Sequence, residues 1–312
     1  MAQDRVTVQV AYRQLTLSNL DKVLYPRDGF TKAAVISYYS RIAPVLLPHL
    51  QDRPVTFVRY PDGVGNGAFF EKDVSRHAPD WVRTVRLTGS GSRGRGEPVD
   101  YPLLDDLPAL VWAAKLAALE LHVPQWTVAR DATRRNPDRL VFDLDPGAPA
   151  TVVECCRAAE RLREILVDDG LTPLAKTSGS KGLQIYCGVR TRQPADTSAY
   201  AKALAERLAH QTPDQVVSKM RKSLRRGKVL VDWSQNNPGK TTIAPYSLRG
   251  RERPTVSTPV TWDEVHACHR PDDLVFTAPE VLERVREHGD LFAELTETQA
   301  PLPHHRGHRG VP

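Results

Sequence analysis

The chain has 312 residues, 40% of them hydrophobic, and a net charge of +6. Its length allows one large domain or two lobes, and its basic balance leans weakly toward an anionic partner such as nucleic acid. No apolar run approaches the ~20 residues that span a membrane, and four cysteines without a Cys-x-x-Cys pair argue against a zinc knuckle or a disulfide framework and fit a reducing cytoplasm.

The N-terminal MAQDRVTVQV alternates like a strand and carries no secretory signal. Thr31 is placed to cap a helix with Val35, Ile36, Tyr39, Ile42 and Leu46 on one side. Residues 88–98, TGSGSRGRGEP, have the composition of a mobile loop. Residues 107–121 are Ala/Leu-rich and predict a largely buried helix, and 140–145 (LVFDLD) predict a strand. Thr151 and Glu154 form a capping box for a helix that Gly170 ends. Residues 183–189, 229–233 and 241–248 are β-rich runs, and 279–288 read as helix. The tail, 299–312, resembles a disordered end or a linker, which leaves 1–298 as the folded domain. The fold class expected is mixed α/β, without strict βαβ alternation.

In VFDLDPG, alternate strand residues share a face, so Asp143 and Asp145 project together while Phe142 and Leu144 face the core. Pro146-Gly147 ends the strand. Two such carboxylates repel unless a cation lies between them, and oxygen ligands suit Mg²⁺ or Mn²⁺. Asp232, inside VLVDW, is costly in an apolar strand unless paired or metal-bound. Three carboxylates on neighbouring strands make a two-metal phosphoryl-transfer site. An Asp-rich turn salt-bridged to arginine is the plain alternative for Asp143 and Asp145 alone.

The segment KTSGSKG (176–182) offers small residues that bring backbone N–H groups close to an anion, hydroxyls at Ser178 and Ser180, and the charge of Lys181. It does not match a Walker A loop. By itself it is also compatible with a hairpin turn. The basic run 219–228 and Arg249, Arg251 and Arg253 flank the carboxylates in sequence, as a phosphate channel requires, or form solvated faces.

Together these segments resemble the polymerase domain of bacterial DNA ligase D, a branch of the archaeo-eukaryotic primase superfamily. The resemblance rests on LSNLDKVLYP (17–26), YYSRIAPVLLPHL (38–50), AFFEK (68–72), LELHVPQW (119–126), VFDLDPG (141–147), TSGSKGL (177–183), VDWSQNN (231–237) and KTTIAPYSLRGR (240–251). It implies a primase-polymerase fold of mixed sheets flanked by helices, with the active site between two lobes. It further implies two Mn²⁺ or Mg²⁺ ions on Asp143, Asp145 and Asp232, with His122 close by. Ser178, Ser180, Lys181, Gln184, Gln235 and Arg249 are then expected around an NTP or dNTP. Arg225 and Arg251 are expected along DNA. Lys22 and Lys32 are expected to grip a 5′-phosphate at a gap or recessed end, and Phe69 and Phe70 to stack on template. Ku and a DNA ligase are the implied partners, and a cytoplasmic, nucleoid-associated setting is implied with no membrane.

One position departs from the pattern. The family motif reads Gly-Leu-His where this chain has Gly182-Leu183-Gln184; glutamine donates a hydrogen bond but carries no charge, so weaker nucleotide binding or slower turnover is expected. No Lys-x-Asp-Gly adenylation motif is present. The activity expected is end extension and gap filling in double-strand break repair, with the ribonucleotide preference of the family. A de novo primase needs the same carboxylates but no 5′-phosphate grip. A non-enzymatic end-bridging module leaves the carboxylates without purpose, and a two-metal nuclease leaves the Ser-Gly-Ser-Lys loop unexplained.

Overall fold

A computed structural model describes residues 5–91 and 94–303, without the side chains of 89–91, 94 and 95. The chain opens with a hairpin, β1 (Arg5–Val10) and β2 (Arg13–Ser18), then a small one, β3 (Val23–Tyr25) and β4 (Phe30–Thr31). Thr31 caps α1 (Lys32–Leu50) by accepting from the Ala34 N–H at 3.2 Å, and Val35, Ile36, Tyr39, Ile42 and Leu46 are all buried. The 3.6-residue spacing thus places one apolar stripe against the core.

β5 (Thr56–Arg59) and β6 (Phe69–Glu71) follow, then a long hairpin, β7 (Thr84–Gly91) and β8 (Gly94–Pro102). This hairpin occupies the Gly/Ser-rich stretch expected to be a loop. Its arms pair because Arg86 faces Asp100 and Leu87 faces Val99, and the pairing shifts register after Thr88. Residues 92–93 at its tip lie outside the described residues.

The helix expected over 107–121 is shorter. α2 (Leu107–Lys115), capped by Asp106, stops where Ala117 turns into the left-handed region at φ 56°; Ala118–Val123 then forms strand β9. β10 (Trp126–Val128) and β11 (Arg134–Pro137) make another hairpin. β12 (Arg139–Pro146) leads to α3 (Val152–Asp168), which has the Thr151–Glu154 capping box and ends before Gly170 at φ 77°. β13 (Leu174–Thr177), β14 (Leu183–Arg190), α4 (Asp196–Gln211), β15 (Val216–Val217) and β16 (Val229–Asp232) complete the middle of the chain. Of the β-rich run 241–248 only Thr242–Ile243 forms a strand, β17, because Pro245 lacks an N–H and Tyr246 takes a positive φ of 64°; Leu248 adds an isolated antiparallel bridge to Val256. β18 (Pro259–Val260), α5 (Trp262–Ala267), α6 (Ala278–His288), α7 (Glu294–Glu297) and β19 (Ala300–Pro301) close the chain. The start of the expected tail is therefore docked, since β19 pairs in parallel with β14; residues 304–312 lie outside the described residues.

Two sheets and two apolar cores organise these elements. One sheet has the order β17-β9-β5-β6 and shares a core with α1 and α2. The other runs β15-β16-β12-β14-β13-β18, with β19 beside β14, and its core is covered by α3 and α4. It is mixed, as expected: β15 runs parallel to β16 and the central strands are antiparallel.

Candidate functional site

The register of the larger sheet builds the site. Asp143 on β12 faces Asp232 on β16 and, on its other side, Gln184 on β14. Directly opposed residues share a face of a sheet, so the three side chains form one row across three strands. Asp145, two residues on from Asp143, projects on the same face. Burial, reinforced by the Asp232 and Asp145 charges, pushes the Asp143 carboxyl up to about 6, against the opposing pull of the Gln184 hydrogen bond.

Each carboxylate is already oriented. The Gln184 amide donates to Asp143 Oδ1 at 3.0 Å. Asp232 Oδ1 accepts from the Ser234 N–H (2.9 Å) and hydroxyl (2.6 Å), and its Oδ2 accepts from Gln235 Nε2 at 2.8 Å. Asp145 is the more exposed member, with Lys181 Nζ at 3.4 Å and an Arg225 guanidinium nitrogen at 3.7 Å. Among the described residues no three His, Cys, Asp or Glu side chains close into a metal-binding group. Two opposed carboxylates, one with its proton affinity raised by the other's charge, nevertheless suit a divalent cation, which replaces that repulsion with attraction.

The Ser178–Gly182 segment forms a tight turn beside this row. Ser178 Oγ accepts from the N–H groups of Ser180 (3.3 Å) and Gly182 (3.1 Å), which leaves its own hydrogen free to donate. Gly179 has φ 67°, and a Cβ there would come within 2.6 Å of Arg249 Cγ, so the turn packs directly on that arginine. A Cβ on Gly182 would meet the Leu144 carbonyl at 2.4 Å. Both glycines let the backbone lie close to β12 and to Arg249.

These parts line one open cleft of about 310 Å³ that includes Asp143, Asp145, Ser178, Lys181, Gln184 and Arg249. His122, Gln235 and Arg251 also line it. Its walls come from both sheets, since His122 lies on β9 and Ile243 on β17. A larger groove of about 970 Å³ runs along α3, but none of these residues lines it, and its wall mixes Arg157, Arg161 and Arg163 with Glu154, Glu160 and Glu164.

His122 is turned toward a neighbour rather than into the carboxylate row: its Nε2 lies 2.8 Å from Glu120 Oε2. Glu120 also accepts from the Gly250 N–H at 3.0 Å and sits 3.5 Å from Arg249 Nε. The His122 hydrogen bond and the Arg249 charge outweigh burial and bring the Glu120 carboxyl down to about 2.

Of the residues expected to meet DNA, Arg251 lines the cleft and Arg225 lies beside Asp145, and the other four fall in two groups away from the carboxylates. Phe69 and Phe70 are 43% and 69% exposed, so they are not core. Three left-handed glycines, Gly63, Gly65 and Gly67, turn the chain just before them. Phe69 lies under the Arg59 guanidinium at 5.1 Å, and the Phe70 ring is 6.4 Å from the His122 ring. Lys22 and Lys32 are brought together, since the Lys32 N–H donates to the Lys22 carbonyl. Lys22 Nζ pairs with Asp62 at 2.8 Å, and Lys32 Nζ donates to the Ser18 carbonyl at 2.9 Å. Burial, with the charges of Lys115, Lys22 and Arg59, lowers the Lys32 ammonium from its ordinary range.

The family profile of the LigD primase-polymerase domain matches residues 31–292. The chain belongs to the LigD primase-polymerase family. It is 44% identical over 294 residues to the multifunctional non-homologous end joining protein LigD of Mycolicibacterium smegmatis, a match covering 93% of this chain and 37% of that protein. Against the bifunctional non-homologous end joining protein LigD of Bacillus subtilis it is 32% identical over 284 residues, covering 90% and 44%. The chain thus spans less than half the length of these relatives. The polymerase domain of Mycobacterium tuberculosis ligase D, solved in complex with DNA, superposes with a TM-score of 0.84 at 42% identity, covering 91% of this chain and 98% of that one. This LigD-family chain is accordingly a DNA-directed nucleotidyltransferase domain of the primase-polymerase type.

Two residues of the LigD-type cleft escape the motif reading. Glu120 organises His122, Arg249 and Gly250 at once; the Glu-x-His alternation of a strand announces it, but that stretch reads as helix. Lys176 is fully buried beside Gln184. Among the described residues no helix is long and apolar enough to cross a membrane.

Proposed function

We propose that this domain extends and fills DNA ends and gaps by template-directed nucleotide addition during non-homologous end joining, with a preference for ribonucleotides. The observation that carries this reading is the row Gln184–Asp143–Asp232, of which Gln184 and Asp143 line one cleft together with Asp145 and the Ser178–Gly182 turn. Carboxylates alone suit many hydrolases; carboxylates opposite a turn that offers hydroxyls and a lysine, with Arg249 packed on it, suit a bound triphosphate.

Asp143, Asp145 and Asp232 are the residues that would hold two Mn²⁺ or Mg²⁺ ions, with His122 near them. Such ions, when bound, supply charge neutralisation at the triphosphate and a more acidic 3′-hydroxyl. Ser178, Ser180 and Lys181 hold phosphate oxygens, and Gln235 keeps Asp232 turned toward the cleft. Arg249 is braced by Glu120 and lies against Gly179, so it faces the phosphates in a fixed position. Arg225 and Arg251 line the way to the DNA backbone. Phe69 and Phe70 offer exposed rings to template bases, and Lys22 with Lys32 meets a downstream 5′-phosphate, which separates this reading from de novo priming. Ku and a ligase are the proposed partners, at DNA in the cytoplasm.

The test is primer extension on gapped DNA, comparing Mn²⁺ with Mg²⁺, rNTP with dNTP, and a 5′-phosphate with a 5′-hydroxyl. Templated addition with rNTP favoured and stimulated by the 5′-phosphate is the expected result. Primer-independent synthesis, or no addition under any condition, contradicts it.

A further inference from the structure

We propose that Lys176 is a positioning residue that fixes the side-chain amide of Gln184 so that it donates to Asp143. The proposal rests on the nucleotidyl-transfer reading of the cleft and extends its machinery by one strand. In register, Lys176 on β13 faces Gln184 on β14, Gln184 faces Asp143 on β12, and Asp143 faces Asp232 on β16. The four residues form one unbroken row across four adjacent strands.

Lys176 is 0% exposed. Its Nζ lies 2.6 Å from Gln184 Oε1 and 2.6 Å from Ser257 Oγ. Burial lowers the Lys176 side chain well below its ordinary range, against the pull of Asp143, and charged or neutral the amine has hydrogens for both oxygens, so it holds the oxygen end of the Gln184 amide. Ser257 agrees with this polarity. Its hydroxyl donates to the Thr177 carbonyl at 2.8 Å, which leaves a lone pair for Lys176. Tyr186 does too: its hydroxyl lies 3.5 Å from Gln184 Oε1 as a donor, besides its 2.7 Å contact with Thr242, and its ring lies 5.4 Å from Lys176 Nζ. With the oxygen held, the NH₂ group of Gln184 has one direction left, toward Asp143 Oδ1 at 3.0 Å. A flipped amide sets its carbonyl against the Asp143 carboxylate, which repels it, and takes the acceptor away from Lys176.

The row also accounts for glutamine where the family motif carries histidine. A neutral imidazole has one acceptor nitrogen and one N–H, and a carboxamide has one acceptor oxygen and an NH₂. Either group, held by Lys176 through its acceptor, presents a donor to Asp143. Gln184 therefore keeps the hydrogen bond that orients Asp143.

A double-mutant cycle tests this, using Lys176→Met, Gln184→Ala and both together. The readouts are kcat and KM for primer extension, Mn²⁺ affinity of the nucleotide-free protein by electron paramagnetic resonance, and Tm. Each single variant is expected to lose about tenfold or more in kcat and in Mn²⁺ affinity. The double variant is expected to be no worse than the poorer single one to within about twofold. Losses that multiply in the double variant overturn the proposal, since Lys176 then acts independently of Gln184. If Lys176→Met does not fold, Gln184→Glu decides: it can pair with Lys176 but offers Asp143 no donor, so it is expected to lose as much as Gln184→Ala. Recovery by Gln184→Glu to near wild-type extension overturns the proposal. A wild type that adds no nucleotide overturns the proposed activity instead, and the Mn²⁺ measurements then decide on Lys176 alone.

Discussion

Asp143 stands directly opposite Asp232 where β12 pairs with β16. Like charges facing each other across a sheet destabilise it, and here both are partly shielded from water. The folded chain therefore stores repulsion at the proposed site of nucleotide transfer.

Burial of Asp143, with that repulsion added to it, has a pH signature. The Asp143 carboxyl is raised to about 6 from 3.8, so the folded state binds a proton more readily than the unfolded chain does. Its contribution is favourable below the unfolded value and is lost as pH rises through about 6. Metal-free protein is expected to lose Tm from this group between pH 5 and pH 7.5, and the loss should vanish in Asp143→Asn. Mn²⁺ is expected to raise Tm more at pH 7.5 than at pH 5.5. Equal Mn²⁺ shifts at both values in differential scanning fluorimetry would contradict this account.

Glu120 gives the opposite sign. Its carboxyl is held down to about 2, chiefly by the His122 hydrogen bond and Arg249 acting against burial. The stability it supplies is present above the unfolded carboxylate value of 4.5 and fades as pH falls through about 2. Glu120→Gln is expected to lower Tm clearly at pH 7 and progressively less toward pH 3. It should also raise KM for nucleotide severalfold, because Arg249 loses its brace. A Tm gap independent of pH would show that Glu120 acts by packing alone.

The exposed Phe69–Phe70 pair separates binding from stability. Base stacking on an aromatic side chain is worth ~1–3 kcal/mol, so Phe70→Ala is expected to weaken binding to gapped DNA by about fivefold to about 150-fold. With so little of the ring buried, Tm should change little. A marked drop in Tm with unchanged DNA affinity, by fluorescence anisotropy, would assign the ring to the core.

What sequence alone revealed follows from how local each signal is. Asp143 and Asp145 share a face because any strand alternates, and Thr31 and Thr151 cap helices by contacts within three residues. The break after α2 was hidden because Ala117 adopts a left-handed conformation with no glycine to mark it, and the Ala/Leu run continues into β9. Glu120 was masked with it. The hairpin over 84–102 was obscured because glycine and serine dominate one stretch, while the Arg86–Asp100 and Leu87–Val99 pairings that set it lie outside that stretch. Lys176 reads as the first residue of a loop; only the pairing of β13 with β14 places it behind Gln184.

Lys22 and Lys32 provide a test of end recognition. They are neighbours through the β3–β4 hairpin, and Lys22 exchanges a surface partner, Asp62, that costs little to release. Lys22→Ala/Lys32→Ala is expected to weaken binding to a 5′-phosphorylated gap by at least about tenfold. Binding to the same gap ending in a hydroxyl should change little. Equal losses on both substrates, with a reduced salt slope, would make the two lysines general backbone contacts.

In the proposed function the carboxylate row performs nucleotide transfer and does not serve DNA affinity. Single-turnover addition of one ribonucleotide to a gapped primer, with DNA binding measured on the same samples, tests it most directly. Asp143→Ala, Asp145→Ala and Asp232→Ala are each expected to reduce the rate by at least about a hundredfold, while DNA affinity stays within about threefold, since affinity comes mainly from lysine and arginine. Addition at the wild-type rate by the Asp143→Ala or Asp232→Ala variant would contradict it.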